Sequence, residues 1–201
     1  ADGNVTGTTN IGGVVGNNSG NITLSAAGAV VSATGQYSGG LVGTNRVDGL
    51  VSTSSAVSGV SGNQSGGLIG FNDGTVTQSF ATGTATGSTY VGGLAGYNAG
   101  TITDTYARTT VNGSEASAIG GLVGAHFGGW VNTSYSTGDV TALNGSTDSV
   151  GGFIGDNTSA IFTQGSVKDS FYSTTTQSGS SEDITELQPA QMTGDAAKTN
   201  M

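Results

Sequence analysis

The chain has 201 residues, with 38 Gly, one Pro and no Cys, and its 13 acids against four Lys and Arg leave a net charge of −9. Without cysteine there are no disulfides or thiolate metal sites, and glycine at this level without a G-X-Y period excludes collagen. Four scattered bases cannot build the cluster that nucleic acid or an anionic membrane surface needs, so neither is expected as a partner.

Low-complexity disorder is the next reading for a chain rich in Gly, Ser, Thr and Asn, but the apolar residues here fall in phase, which a disordered linker does not need. No apolar run approaches the roughly 18 residues of a membrane-spanning helix, so no membrane insertion is expected. No signal peptide opens the chain at Ala1; an exported protein would be represented here by a mature or excised segment.

Taken in order, residues 1–11 read as the end of a preceding coil. A double glycine then recurs at Gly12, Gly39, Gly66, Gly92, Gly120 and Gly151, at spacings of 27, 27, 26, 28 and 31 residues. A period of that length marks a solenoid or an array. With the first glycine as position zero, positions two and three are apolar, as in Leu41-Val42, Leu68-Ile69 and Leu94-Ala95. Position four is always glycine, and position six is Asn18, Asn45, Asn72, Asn98, His126 and Asn157. A further glycine follows, then a β-branched residue (Ile22, Val51, Val76, Ile102, Val131, Val167). In the later copies a Ser/Thr-aromatic pair comes next: Ser79-Phe80, Thr105-Tyr106, Ser134-Tyr135 and Ser170-Phe171. The first two copies have Ser25-Ala26 and Ser54-Ser55 instead. A looser third stretch leads to the next double glycine.

Short apolar runs bounded by turn residues, with no i, i+3, i+4 spacing, predict three short strands per coil. Gly and Asn tolerate the left-handed backbone region and are expected to turn the corners. Asn at one corner of every coil would stack amides about 4.8 Å apart, the inter-strand spacing, into a hydrogen-bonded ladder. Six to seven coils would make a rod about 30 Å long. The fold expected is all-β: a stacked solenoid with about 27 residues per coil. It covers residues 1–175, six repeats plus a partial N-terminal coil. Residues 176–201 read as a polar linker and a cap, or the start of a continuing chain. Within them 182–192 can form a short helix, with Asp183 as N-cap and Glu186 three residues on, interrupted by Pro189.

On these residues the chain resembles GLUG-repeat proteins, whose glycine-leucine-apolar-glycine core stands here as Gly40-Leu41-Val42-Gly43 and its equivalents. The segment 187–194 also resembles what often follows the last such repeat. The resemblance implies a β-solenoid, specifically a right-handed parallel β-helix, in a bacterial surface or secreted protein similar to filamentous-haemagglutinin-like adhesins of two-partner secretion systems. It implies a non-catalytic rod within a longer chain, acting in adhesion, virulence or biofilm formation toward a host receptor, a glycan or a neighbouring cell. A passive spacer and a polysaccharide-active enzyme on the same fold are the alternatives.

No cofactor or metal ligand set stands out. His126, Phe127 and Trp130 are the candidate ligand contacts: an aromatic platform for a sugar face, or a tolerated corner substitution beside surface aromatics. Asp104 and Asp169 occupy matching positions two coils apart, about 9.6 Å by the strand spacing, at the far edge of what a hydrolytic carboxylate pair requires. Calcium rolls need Asp at a fixed place in each repeat, where this chain has Asn. Thr75-Val76-Thr77 and Thr101-Ile102-Thr103 could align into a short threonine row, although strand preference explains them equally. Several N-x-S/T triplets arise from composition alone. Binding loops are expected where coils are interrupted, at 112–117, 143–149 and 156–165.

Overall fold

The computed structural model describes residues 2–114, 118–143, 149–157, 165–172 and 184–186. Among them there is no helix, and the strands pair in parallel with the coil before and the coil after. Sheet B is built from Val15–Asn18, Val42–Asn45, Ile69–Asn72, Ala95–Asn98, Val123–His126 and Ile154–Asn157. Sheet C takes the β-branched segments, from Asn21–Thr23 to Gly165–Lys168. The fourteen-stranded sheet A holds the third stretch of each coil, including Ser55–Gly66, Phe80–Gly92 and Tyr106–Gly113. The molecule is thus a β-solenoid, and Val42 lies beside Ile69, which lies beside Ala95, so sequence period and coil are the same thing. Sheets B and C each stack six strands, which makes five coil-to-coil steps.

The corner from sheet A to sheet B explains the glycine-leucine core. The carbonyl of each position-two residue accepts two N–H groups from the preceding coil: Leu94 O accepts from Leu68 N at 2.9 Å and Ile69 N at 3.0 Å, and Leu122 O from Leu94 N and Ala95 N. This shared acceptor lets two successive side chains enter the core. It also draws the coils together at the first glycine. A Cβ added to Gly66 would stand 2.6 Å from Gly96 N and 2.8 Å from Ala95 Cα, so no side chain fits.

Here the corner expectation needs correction. Neither the double glycines nor the Asn column has a positive φ; glycine is required by close backbone approach instead. The left-handed corner lies between sheets C and A, on Leu24, Thr53, Gln78, Asp104, Thr133 and Asp169, with φ of 46–52°.

The core is thin but continuous. Leu41, Leu68, Leu94, Leu122 and Phe153 from the first corner meet Val51, Val76, Ile102 and Val131 from sheet C, all 0 % exposed. Sheet A contributes Ala27, Ala56, Ala81, Ala107 and Tyr172 to this cluster. Each buried leucine or isoleucine contributes about 1.5–3 kcal/mol, so stability accumulates coil by coil. A second cluster of Ala85, Val91, Val111, Ile119, Val140 and Val150 lies under the long strands of sheet A, giving the third stretch a core of its own. At the sheet B edge, Val14 remains 44 % exposed.

The helix expected over 182–192 is also corrected. Residues 184–186 form a strand, Ile184–Glu186, paired in parallel with Ser170–Tyr172. An unpaired strand edge offers a row of backbone partners, and β-branched Ile184 and Thr185 accept it more readily than a helix. The remainder of the expected linker and helix lies outside the described residues.

Candidate functional site

Asn18, Asn45, Asn72 and Asn98 form the expected amide ladder, whereas Asn157, expected in it too, has no partner for its Oδ1 among the described residues. Asn18 Nδ2 donates to Asn45 Oδ1 at 2.8 Å, Asn45 Nδ2 to Asn72 Oδ1 at 2.9 Å, and Asn72 Nδ2 to Asn98 Oδ1 at 2.7 Å. Each amide nitrogen also reaches a carbonyl of its own coil, as Asn98 Nδ2 does to Gly100 O at 3.1 Å. Asn45, Asn72 and Asn98 are fully buried, where an unpaired amide would cost about 1–3 kcal/mol, so the column must be complete to be stabilising.

His126 takes the fifth rung. Its Nδ1 lies 3.0 Å from Asn98 Nδ2, and since the amide nitrogen can only donate, Nδ1 accepts and the proton of the neutral ring sits on Nε2. Burial pushes the imidazole down to about 4, with a hydrogen bond to the Asn98 backbone working the other way. Nε2 has no partner among the described residues, and neither has Oδ1 of Asn157, which pairs with His126 in register on the next rung. A donor and an acceptor therefore stand unpaired where the amide column is broken.

This placement corrects the proposed ligand trio. His126 is 0 % exposed and belongs to the interior, so it cannot touch a surface ligand; Phe127 is half-buried, and Trp130 is 42 % exposed on sheet C beside Thr101. Phe127 belongs to a different group. Its ring stacks on Tyr97 at 5.0 Å and 8°, and it meets Tyr90 at 6.1 Å. Tyr97 meets Phe71 at 5.0 Å, and Phe71 meets Tyr37 at 5.2 Å. Burial raises the Tyr97 phenol, and Tyr90, Tyr37 and Asp73 add to the effect. Five rings from four successive coils thus make one contiguous half-buried face, and all five are half-buried.

A second polar column, unassigned from sequence, follows the left-handed corner. Ser54, Ser79, Thr105, Ser134 and Ser170 are at most 3 % exposed. Ser54 N donates to Ser79 Oγ at 3.1 Å, and Ser134 N to Ser170 Oγ at 3.3 Å. Each serine hydroxyl donates in turn to the carbonyl two residues earlier, as Ser79 Oγ does to Thr77 O at 2.7 Å. The next residue points outward, and there Phe80, Tyr106 and Tyr135 stack at 4.8 and 5.1 Å with ring planes within 6°. Phe171 follows Tyr135 in register. The recurrent Ser/Thr-aromatic pair is therefore an inner hydroxyl ladder joined to an outer ring ladder.

Asp104 and Asp169 share the exposed left-handed corner, with Thr133 between them. Thr75 and Thr77 pair with Thr101 and Thr103, but the rungs on either side are Leu50/Ser52 and Trp130/Asn132. No group of three or more His, Asp or Glu is gathered among the described residues. The interrupting segments 115–117, 144–148 and 158–164 lie outside the described residues.

The repeat can be set beside known families on this geometry. No curated protein and no solved structure matches the chain. Residues 87–112 match the family described as the GLUG motif, and this stretch is one full turn of the solenoid, from the end of one sheet A strand through Leu94, Asn98 and Ile102 to the next.

Proposed function

We propose that this chain is a non-catalytic structural and binding segment of a bacterial surface or secreted protein: a stiff acidic rod that attaches through its outer faces and inserted loops. One observation carries this reading. The repeated residues form the scaffold, namely the leucine corner, the amide and hydroxyl ladders and the close glycine contacts, while outward positions sharing one register, such as Val57, Thr82 and Arg108, differ from coil to coil. Such a division suits a solenoid that holds a variable surface on a constant frame. The GLUG match and the solenoid fold support a surface-protein segment; adhesion to a host receptor, glycan or neighbouring cell is the finer reading.

Beads coated with the purified chain should retain mammalian or bacterial cells above uncoated beads. In parallel, the chain is incubated with acidic polysaccharides and the products are sized. Depolymerisation lost in Asp104→Asn would replace this reading with an enzymatic one, for which the shared corner of Asp104 and Asp169 is the structural basis. Neither retention nor cleavage by a folded chain would reduce the segment to a spacer.

A further inference from the structure

We propose that Tyr37, Phe71, Tyr97 and Phe127, with Tyr90 beside them, form a track along the solenoid axis that binds a neutral linear glycan. This rests on the reading of the chain as a binding rod and names a ligand class and a face for it.

The two ring groups on this protein differ in a way that separates packing from recognition. Phe80, Tyr106 and Tyr135 lie nearly parallel, at 1° and 6°, so each ring spends its faces on its neighbours and offers only edges to solvent. In the Tyr37–Phe71–Tyr97 run the planes are tilted by 31° and 58°, and Tyr90 stands at 49° and 55° to Tyr97 and Phe127; only Tyr97 and Phe127 lie nearly parallel, at 8°, so the open faces belong to Tyr37, Phe71 and Tyr90. Tilted rings leave faces open, and an open aromatic face is what the C–H side of a pyranose stacks on.

Spacing and chemistry support the same occupant. One ring per coil, with centroids 5.0–5.2 Å apart, gives a track of three inter-strand steps, roughly 14 Å. The step is comparable to one sugar unit of an extended chain. Phe71 and Tyr97 pair in register on sheet B, and the flanking residues in that column, Thr44 and Ala125, are 5 % and 0 % exposed, while the two rings themselves stay half-exposed. Three phenol hydroxyls among the apolar rings supply the polar contacts that sugar hydroxyls require.

Charge narrows the class. Asp73 acts on Tyr97, and the chain is −9 overall. Among the described cations, Arg108 pairs with Thr82 on sheet A and Lys168 lies on sheet C, while Arg46 stands on the rung next to Asp73 and donates to Asn17 at 3.3 Å, so the charges beside the rings are of both signs and offset each other. Sulfated or uronic-acid glycans would meet repulsion from the net charge of the whole chain, whereas neutral glycans would not.

The probes are hexasaccharides of β-1,4-, β-1,3- and α-1,4-linked glucose and of N-acetylglucosamine, titrated calorimetrically at low and high salt. At least one should bind with an affinity that salt does not change. Phe71→Leu or Tyr90→Leu, which keep apolar volume but remove a tilted ring, should weaken it about tenfold or more, while Tyr106→Leu should leave it unchanged. Circular dichroism and melting establish that each variant is folded; a variant that fails to fold is replaced by Tyr37→Leu. The proposal is overturned if no neutral hexasaccharide binds the folded chain, if binding survives loss of the tilted rings, or if Tyr106→Leu abolishes it equally. Cell retention is scored separately, so a folded chain that holds cells but ignores these sugars overturns the glycan track alone.

Discussion

Replacing His126 by Asn tests the interior chemistry of the solenoid most directly. In the native chain the neutral imidazole accepts from Asn98 and titrates near 4, against about 6.5 in the unfolded chain. Between those values the unfolded chain binds a proton that the folded chain does not. Stability due to His126 is therefore present above about pH 6.5, falls as pH drops, and levels off below about pH 4. The proton linkage is about 2 kcal/mol at pH 5 and about 3 kcal/mol at pH 4. An Asn at this rung can accept from Asn98 and donate toward Asn157 Oδ1, so His126→Asn should lie within about 1 kcal/mol of the native chain at pH 7 and exceed its stability by roughly 3 kcal/mol at pH 4. Asp156, whose carboxyl is raised by burial, has the opposite sign and acts on both chains alike. Urea unfolding followed by circular dichroism at pH 7, 5 and 4 would measure the difference. Parallel pH dependence in the two chains would refute the buried neutral histidine.

Removing an interior rung should cost more than removing a surface amide. Asn72→Ala leaves Asn98 Oδ1 without its donor and should lose roughly 2–4 kcal/mol, against near zero for exposed Asn17→Ala, by the same urea titration. Gly66→Ala should prevent folding or shift the melting temperature sharply, because its Cβ has nowhere to go, whereas Gly59→Ala meets only Thr84 Oγ1 at 3.4 Å and should be tolerated. Leu94→Ala, at a fully buried corner, should cost about 2–5 kcal/mol in the same assay. At alkaline pH the raised Tyr97 phenol ionises later than in the unfolded chain, so stability should fall as pH rises above about 10; spectroscopic melts should show Tyr97→Phe losing part of that fall.

The repeat, the sheets and the amide column were readable from sequence because each depends only on phase. His126 shows where phase should have prevailed over its neighbours: it stands at position six, an interior position, yet its proximity to Phe127 and Trp130 suggests a surface cluster. The tilted ring face was harder to see, since Tyr37 and Tyr90 come from the loose third stretch while Phe71, Tyr97 and Phe127 sit around the second corner, and only coiling brings them together. The left-handed corner has almost no residue signature: Leu24, Thr53, Gln78 and Asp104 share a backbone conformation but no chemistry. Its one marker is the Ser or Thr that follows. The second core did leave a trace, because Val60, Ala85, Val111 and Val140 fall in register, though glycines and threonines between them obscure the alternation. At residues 184–186 a local capping pattern yielded to an adjacent strand edge, a competition that local sequence does not reveal.

The amide ladder also gives the rod a direction. From Asn18 to Asn98 each nitrogen donates toward the following coil and each oxygen faces the preceding one, so the side-chain dipoles add along the axis instead of cancelling. A coil meeting the oxygen side must bring a donor, and one meeting the nitrogen side must bring an acceptor. His126 satisfies this with a bare Nδ1, which only the uncharged ring possesses. Two such ladders could be joined end to end only head to tail; placed oxygen to oxygen they would have no hydrogen to share. The column is thus vectorial, and any lengthening of it would keep the same polarity.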